Sequence, residues 1–217
     1  QIPSDKPYLE GKDFNDYLSK LGALLSDGEK IVDVLVIHPM KSAWIAFDGK
    51  NNDVISKLDR DLIDLTDKLL GSHVDYHFGD ETLMKNHGSL VNGKLQIGKC
   101  EYSTVILPSL LSLDEYTLDL LEEFAANGGK LISVGDYPTL CNGRPSSRLV
   151  DLKEKTDIFD TVEMFLDQTT NREVSITIDN QQVSDIRYTQ RELEEGKLLF
   201  MINLNKEAFY DTKVSVE

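Results

Sequence analysis

Two histidines and three carboxylates stand at or just past the ends of short apolar runs: His38, His77, Asp80, Glu81 and Asp136. A histidine beside carboxylates can pass protons as a general acid and base. Two histidines with two carboxylates can also hold a metal ion. The spacing argues against both. About a hundred positions separate His38 from Asp136, and no short ligand motif such as H-E-x-x-H joins any two of them. The set, with the lone tryptophan Trp44, is therefore read as structural or as a face toward a neighbouring domain. No catalytic residue, metal or cofactor is expected.

Other motifs are missing as well. The loop after the first apolar run is HPMKSAW, with no G-x-G-x-x-G and no G-x-x-x-x-G-K-[ST], so a nucleotide phosphate has no glycine cradle. The run STVIL ends in LPSLL, and Ser109 lacks the flanking glycines of a nucleophile elbow. Cys141 has no histidine beside it in sequence and is not read as a nucleophile. Cys100 and Cys141 are too few for a disulfide framework and are expected free and partly buried.

Four apolar runs would position these residues. IVDVLVIHPM (Ile31–Met40) has the continuous apolar character of a strand covered on both faces, with its core at Val32–Ile37. His73–Phe78, Ser103–Leu107 and Lys130–Val134 follow as further strands. Ligands in open α/β sheets bind just past the carboxyl ends of such strands. Helices intervene. Phe14, Tyr17, Leu18, Leu21, Leu24 and Leu25 mark one face of a helix capped by Asp13 and stopped by Gly28. Val54–Leu70 and Leu113–Ala126 are two more, the second ended by Asn127-Gly128-Gly129. Asp61 and Asp64 belong with the solvated face of the former. Met40–Asp53 reads as a loop, Glu81–His87 as a turn or two of helix, and Asn92-Gly93 as the type I′ turn of a hairpin within Ser89–Gly98.

The texture changes beyond Pro145. Phe159–Leu166 reads as a short helix. Glu173–Ile178, Val183–Gln190, Lys197–Asn203 and Lys213–Val216 alternate polar with apolar residues, as antiparallel strands with one wet face do. The expected organisation is a lead-in over 1–12, an α/β domain over 13–145, a connector over 146–171 and a partial β-sandwich over 172–217.

The chain has 217 residues and a formal net charge of −15. So acidic a surface disfavours nucleic acid and anionic membranes, whose recognition needs clustered Lys and Arg. No apolar run approaches the roughly 18 residues of a membrane helix. A start at Gln1 and a stop at Glu217 inside an apparent strand suggest a piece of something longer.

The order of several segments resembles a known family. PYLEGKDFNDYLSKLGALLSDGEKIVDVLVIHPMKSAW, then VDYHFGDE, then GKLQIGKCEYSTVILPSLLSLDEYTLDLLEEFAANGGKLISVGDYP, is similar to a middle region of large bacterial glycoside hydrolases, over about Pro7–Pro138. The group is the family 106 α-L-rhamnosidase-like enzymes, also described as sugar-binding family 2-like hydrolases. The region looks like the class I glutamine-amidotransferase-like domain of family 42 β-galactosidases. IRYTQRELEEGKLLFMINLNKE is similar to the strand pair that opens the following β-sandwich.

The resemblance implies a flavodoxin-like parallel sheet with helices on both faces, followed by a partial antiparallel β module. It implies catalytic carboxylates on a (β/α)8 barrel that this chain lacks, because four strand–helix units are too few. It implies an amidotransferase-like domain without its nucleophile, which LPSLL fits. His38, Asp80, Glu81 and Asp136 match motif positions only and inherit no role. The expected partners are the barrel and β-sandwich domains of the parent chain, with oligosaccharide a further candidate. The parent would be secreted or periplasmic. The expectation is a non-catalytic accessory domain. The alternatives are a self-contained hydrolase built on the His/carboxylate edge, and a carbohydrate-binding module stacking sugars on Tyr8, Trp44, Tyr76 or Tyr102.

Overall fold

The computed structural model describes residues 7–168, 174–208 and 211–216. The chain divides into two compact units, Gln1–Ile31 with Thr189–Phe200, and Val32–Tyr188 with Met201–Glu217.

The larger unit is built on five parallel strands: β1 (Val34–Ile37), β2 (His77–Gly79), β3 (Thr104–Leu107), β4 (Lys130–Val134) and β5 (Asp157–Phe159). Their order across the sheet is β5-β4-β3-β1-β2. All four neighbouring pairs are parallel. This is the flavodoxin-like order, whose switch point lies between β1 and β3.

Successive side chains of a strand point to opposite faces, and here both faces are dry. Leu35, Ile37, Val105, Leu107 and Leu131 share one buried cluster with Leu118, Leu121 and Phe124 of a helix at Glu115–Ala126. Val36, Ile106, Ile132 and Val134 share the other with Leu65 and Leu69 of a helix at Asp53–Gly71, and with Phe165. Continuous apolar runs are the sequence signature of strands covered in this way.

In chain order the helices are α1 (Pro7–Ser26), α2 (Met40–Ala46), α3 (Asp53–Gly71), α4 (Glu81–His87), α5 (Glu115–Ala126), α6 (Arg148–Lys153) and α7 (Val162–Gln168). A three-stranded antiparallel sheet, Gly88–Val91, Lys94–Ile97 and Cys100–Tyr102, sits between α4 and β3 in the chain. Its first turn carries Asn92 at φ 52° and Gly93 at φ 80°, the left-handed pair that a type I′ turn requires.

Several expectations need correction. Helix α1 begins at Pro7, so Asp13 lies inside it and is not its cap. Proline suits a first helical position because its missing N–H would have no partner there. Residues 1–6 of the expected lead-in lie outside the described residues. The loop over 40–53 starts as helix α2, with Trp44 in it. Pro39 sits at its N-cap with φ −78°, and its carbonyl accepts from Ala43 N at 3.0 Å. The second strand is His77–Gly79, and His73 is instead left-handed at φ 57°. The sheet has five parallel strands where four were expected. The fifth, Asp157–Phe159, comes from the stretch read as a connector and takes in Phe159, the first residue of an expected helix.

The C-terminal strands are antiparallel elements. Val174–Ile178 pairs with Gln181–Gln182 and with Lys213–Val216, around a turn with Asp179 and Asn180 at φ 50° and 65°. Glu173, expected to open the first of them, lies outside the described residues. In the smaller unit, Glu29–Lys30 pairs antiparallel with Arg191–Glu192. The Arg191 guanidinium donates to the carbonyls of Asp27 and Gly28 and holds the end of this turn.

Truncating a side chain that two layers cover removes transfer energy and leaves a cavity. Ile106→Ala is expected to cost about 2–5 kcal/mol in urea unfolding. Ile63→Ala on α3, where 58% of the side chain is exposed, should stay within about 0.5 kcal/mol.

Candidate functional site

The carboxyl ends of the strands deliver His38-Pro39 after β1, Asp80-Glu81 after β2, Pro108-Ser109 after β3 and Gly135-Asp136 after β4. Next to the switch point, the loops after β3 and β4 are bonded to each other and to α3. Ser109 is 1% exposed. Its hydroxyl donates to Asp61 Oδ2 at 2.5 Å and accepts from the Asp136 backbone N–H at 3.1 Å. Leu110 N donates to Asp136 O at 3.0 Å. Lys57 Nζ then spans Asp61 Oδ2 at 2.8 Å and Asp136 Oδ2 at 2.6 Å. Gly135 makes the close approach possible. Its φ is +89°, and a Cβ there would lie 2.4 Å from Ser109 Oγ.

The electrostatics of this cluster favour fixed charges over proton transfer. Hydrogen bonds to Asp136 and Asp61 raise the Lys57 pKa, so the ammonium persists and cannot act as a base. Burial pushes the Asp61 carboxyl up. The bonds from Lys57 and Ser109, with the charges of Lys57 and Arg60, outweigh it and leave the group below its ordinary value. Sequence reading placed Asp61 on a solvated helix face. The structure turns it toward Ser109 as well, a partner 48 residues away. The Lys57–Asp61 pair at i,i+4 was visible in the sequence, but its third and fourth members were not.

A second cluster ties α2 and α4 to the start of α5. Ser42 is fully buried; its hydroxyl accepts from Leu111 N and Ser112 N at 3.0 and 3.1 Å and donates to Ser112 O. Glu81 is buried, and its Oε2 accepts from Asp114 N at 2.6 Å. Desolvation raises its pKa against that bond. Lys41 pairs with Asp114 at 3.1 Å and lies over the Trp44 ring at 5.5 Å.

The six expected site residues do not share one set of partners. His38 packs edge-on against Phe78, ring centroids 5.2 Å apart. Trp44 is 64% exposed on α2. His77 Nδ1 meets the Tyr102 hydroxyl at 2.9 Å, beside a phenol whose pKa burial pushes up. Asp80 is the N-cap of α4, accepting from Thr82 N and Leu83 N at 2.9 and 3.0 Å. Glu81 and Asp136 belong to the two clusters just described. Among the described residues, no group of three or more His, Cys, Asp or Glu is placed to hold a metal ion. Both cysteines are free, and burial raises the Cys141 pKa, which disfavours its thiolate.

The same edge carries exposed apolar side chains. Met40, Trp44, Ile45 and Phe47 on and after α2, Phe78 within β2 and Leu83 on α4 are all exposed. No helix among the described residues is long and apolar enough to cross a membrane.

No protein-family model matches the chain, and no curated protein matches it. Solved structures do, among them the following two. An apo GH42 exo-carrageenase from Bacteroides ovatus is 12% identical with a TM-score of 0.53, over 84% of this chain and 24% of its own. A rhamnosidase from Novosphingobium sp. PP1Y is 14% identical with a TM-score of 0.52, over 87% of this chain and 18% of its own. Both neighbours are glycoside hydrolases, and what is shared is the fold. The chain spans about a quarter or less of either neighbour.

Ser109→Ala removes a donor to Asp61 and the acceptor of Asp136 N, an expected cost of about 1–3 kcal/mol in urea unfolding at neutral pH. Asp61 is held below its ordinary value, so its contribution is present above the unfolded carboxyl pKa, about 3.9, and fades as pH falls through the lower folded value. The gap between wild type and Lys57→Ala should therefore narrow in acid. Glu81 has the opposite sign. Its raised pKa means that ionisation costs stability at neutral pH, a cost relieved as pH falls through the folded value toward the unfolded one. Any gain from Glu81→Gln should accordingly shrink over that interval.

Proposed function

We propose that this chain is a non-catalytic accessory domain of a larger carbohydrate-active enzyme of the α-L-rhamnosidase-like or a related kind. Its strand-end edge packs against that enzyme's catalytic domain. One observation carries the proposal. Where flavodoxin-like enzymes hold their chemistry, Ser109 is buried and committed to Asp61 and to Asp136 N, and nearby elements expose Met40, Trp44, Phe47, Phe78 and Leu83. Exposed apolar patches of this kind mark contact surfaces. The fold, shared with parts of two much longer glycoside hydrolases, supports a glycoside-hydrolase-related domain, and the catalytic domain is the partner we propose for it. The bacterial origin and the secreted or periplasmic setting of the parent belong to the same proposal, as does its amidotransferase-like ancestry.

One residue favours a second reading. Trp44 presents an exposed indole beside Lys41, the kind of flat face on which a sugar ring stacks. Under that reading the edge touches oligosaccharide directly.

The isolated chain is expected to show no turnover of aryl-rhamnosides or aryl-galactosides, and measurable turnover would overturn the accessory assignment. Titration calorimetry with oligosaccharides should give no heat. Saturable binding lost in Trp44→Ala would select the second reading. Trp44→Ser with Phe47→Ser should leave the urea midpoint of the isolated chain nearly unchanged, within about 0.5 kcal/mol per site, because both side chains are exposed.

A further inference from the structure

His73 is a histidine that neither cluster uses, and it is 1% exposed. It follows the C-cap of α3 in the left-handed conformation, its N–H donating to Leu70 O at 3.1 Å. A glycine is the usual residue at such a position, and a side chain there carries a backbone cost. The imidazole meets four residues of the antiparallel segment. Nε2 lies 3.1 Å from Val183 O and 3.1 Å from Ile186 O. Two carbonyls can only accept, so Nε2 carries the proton. Nδ1 faces Ile176 N at 3.4 Å and Gln182 Nε2 at 3.0 Å. The backbone N–H can only donate, so Nδ1 is the acceptor. The Tyr188 hydroxyl donates to His73 O at 3.4 Å.

This arrangement selects one protonation state. The neutral Nε2–H tautomer satisfies both ring nitrogens. A second proton, on Nδ1, would point at the Ile176 N–H, break two hydrogen bonds and place a charge where water is excluded. The ionisable groups of the segments packed here include Asp67 and Asp75 on its own side and Asp185, Arg187 and Tyr188 on the other, the Tyr188 ring lying 6.3 Å from the imidazole. Arg187 is committed to Asp67 Oδ1 at 2.8 Å and to Ser184 O. Asp185 accepts from Asn205 Nδ2 at 3.0 Å.

We propose that His73 is a protonation-sensitive latch, which when neutral fastens residues 174–188 to the C-terminal end of α3 and when protonated releases them. The sign follows from linkage. The open segment frees an imidazole of ordinary pKa, about 6.5, whereas the closed one holds it neutral, so the open form gains a proton as pH falls below that value. The population of the open form rises up to about tenfold per pH unit, the limit for one proton. This inference concerns a different part of the unit from the strand-end edge and stands independently of the accessory-domain proposal.

Amide hydrogen exchange, corrected for the intrinsic pH dependence, tests it between about pH 7.5 and pH 5. The Ile176 and Val183 amides should lose protection, by roughly tenfold per unit below about pH 6.5, while Val105 and Ile106 in the parallel sheet keep theirs. In His73→Asn, an asparagine that tolerates the left-handed backbone, the same two amides should be weakly protected at every pH, with no trend. In Gln182→Glu a carboxylate faces Nδ1 and favours the cation in the closed form as well, so the loss of protection on acidification should be smaller than in the wild type. Unchanged protection in the wild type, simultaneous loss from the parallel sheet, or an identical pH trend in Gln182→Glu would each overturn the proposal. The last arm decides the matter even where His73→Asn fails to fold.

Discussion

A strand covered on both faces has no room for a functional group except at its end. That constraint organises the larger unit. Val36, Ile106 and Ile132 point into one helical layer, and Leu35, Val105 and Leu131 into the other, all within 2% of complete burial. Asp80, Glu81, Ser109 and Asp136 accordingly stand just past strand ends at the carboxyl edge, and the character of that edge depends on what the loops do with them. Here they bond to one another. Ser109, Asp61, Lys57 and Asp136 close one part of the edge, and Ser42, Glu81 and the start of α5 close another. A buried hydroxyl that already donates would have to give up that bond to donate to anything else.

The parts of this picture that were legible in the sequence share one property: their physics is local. Val34–Ile37, Thr104–Leu107 and Lys130–Val134 announce themselves because double burial demands unbroken apolar runs. Helix α3 shows its stripe, and the hairpin shows Asn92-Gly93 because few other pairs adopt those angles. The missed parts depend on distant partners or on very short elements. Strand β5 has three residues and only Phe159 buried, so its pairing with β4 leaves almost no pattern. Helix α2 is seven residues long and fully buries only Ser42, a polar residue, which removes the apolar periodicity that would reveal it.

The candidate site was legible in position but not in content. His38, Asp80, Glu81 and Asp136 do lie at strand ends, because the strands that deliver them could be read. Their partners could not. Asp80 looks the same in sequence whether it caps a helix or faces a ligand. Glu81 gives no sign that it is closed over by Asp114 N. His73, the most connected histidine of the four, sat inside what reads as an ordinary strand, and its left-handed backbone is imposed by the end of α3 and not by its own residue type.

The close approach of Gly135 to Ser109 constrains how the loops around it can change. Ser109 stands one residue past the Pro108 that ends β3, near the place where related architectures mount a nucleophile. Freeing that hydroxyl would require breaking its bonds to Asp61 and Asp136 N together. Enlarging Gly135 cannot do it gently, since a methyl group would collide with the oxygen. A substitution that loosens this cluster therefore costs stability before it frees a group at the edge. Such an arrangement ties the loops after β3 and β4 into one piece with α3, so a change in either loop is felt by the other and by the helix.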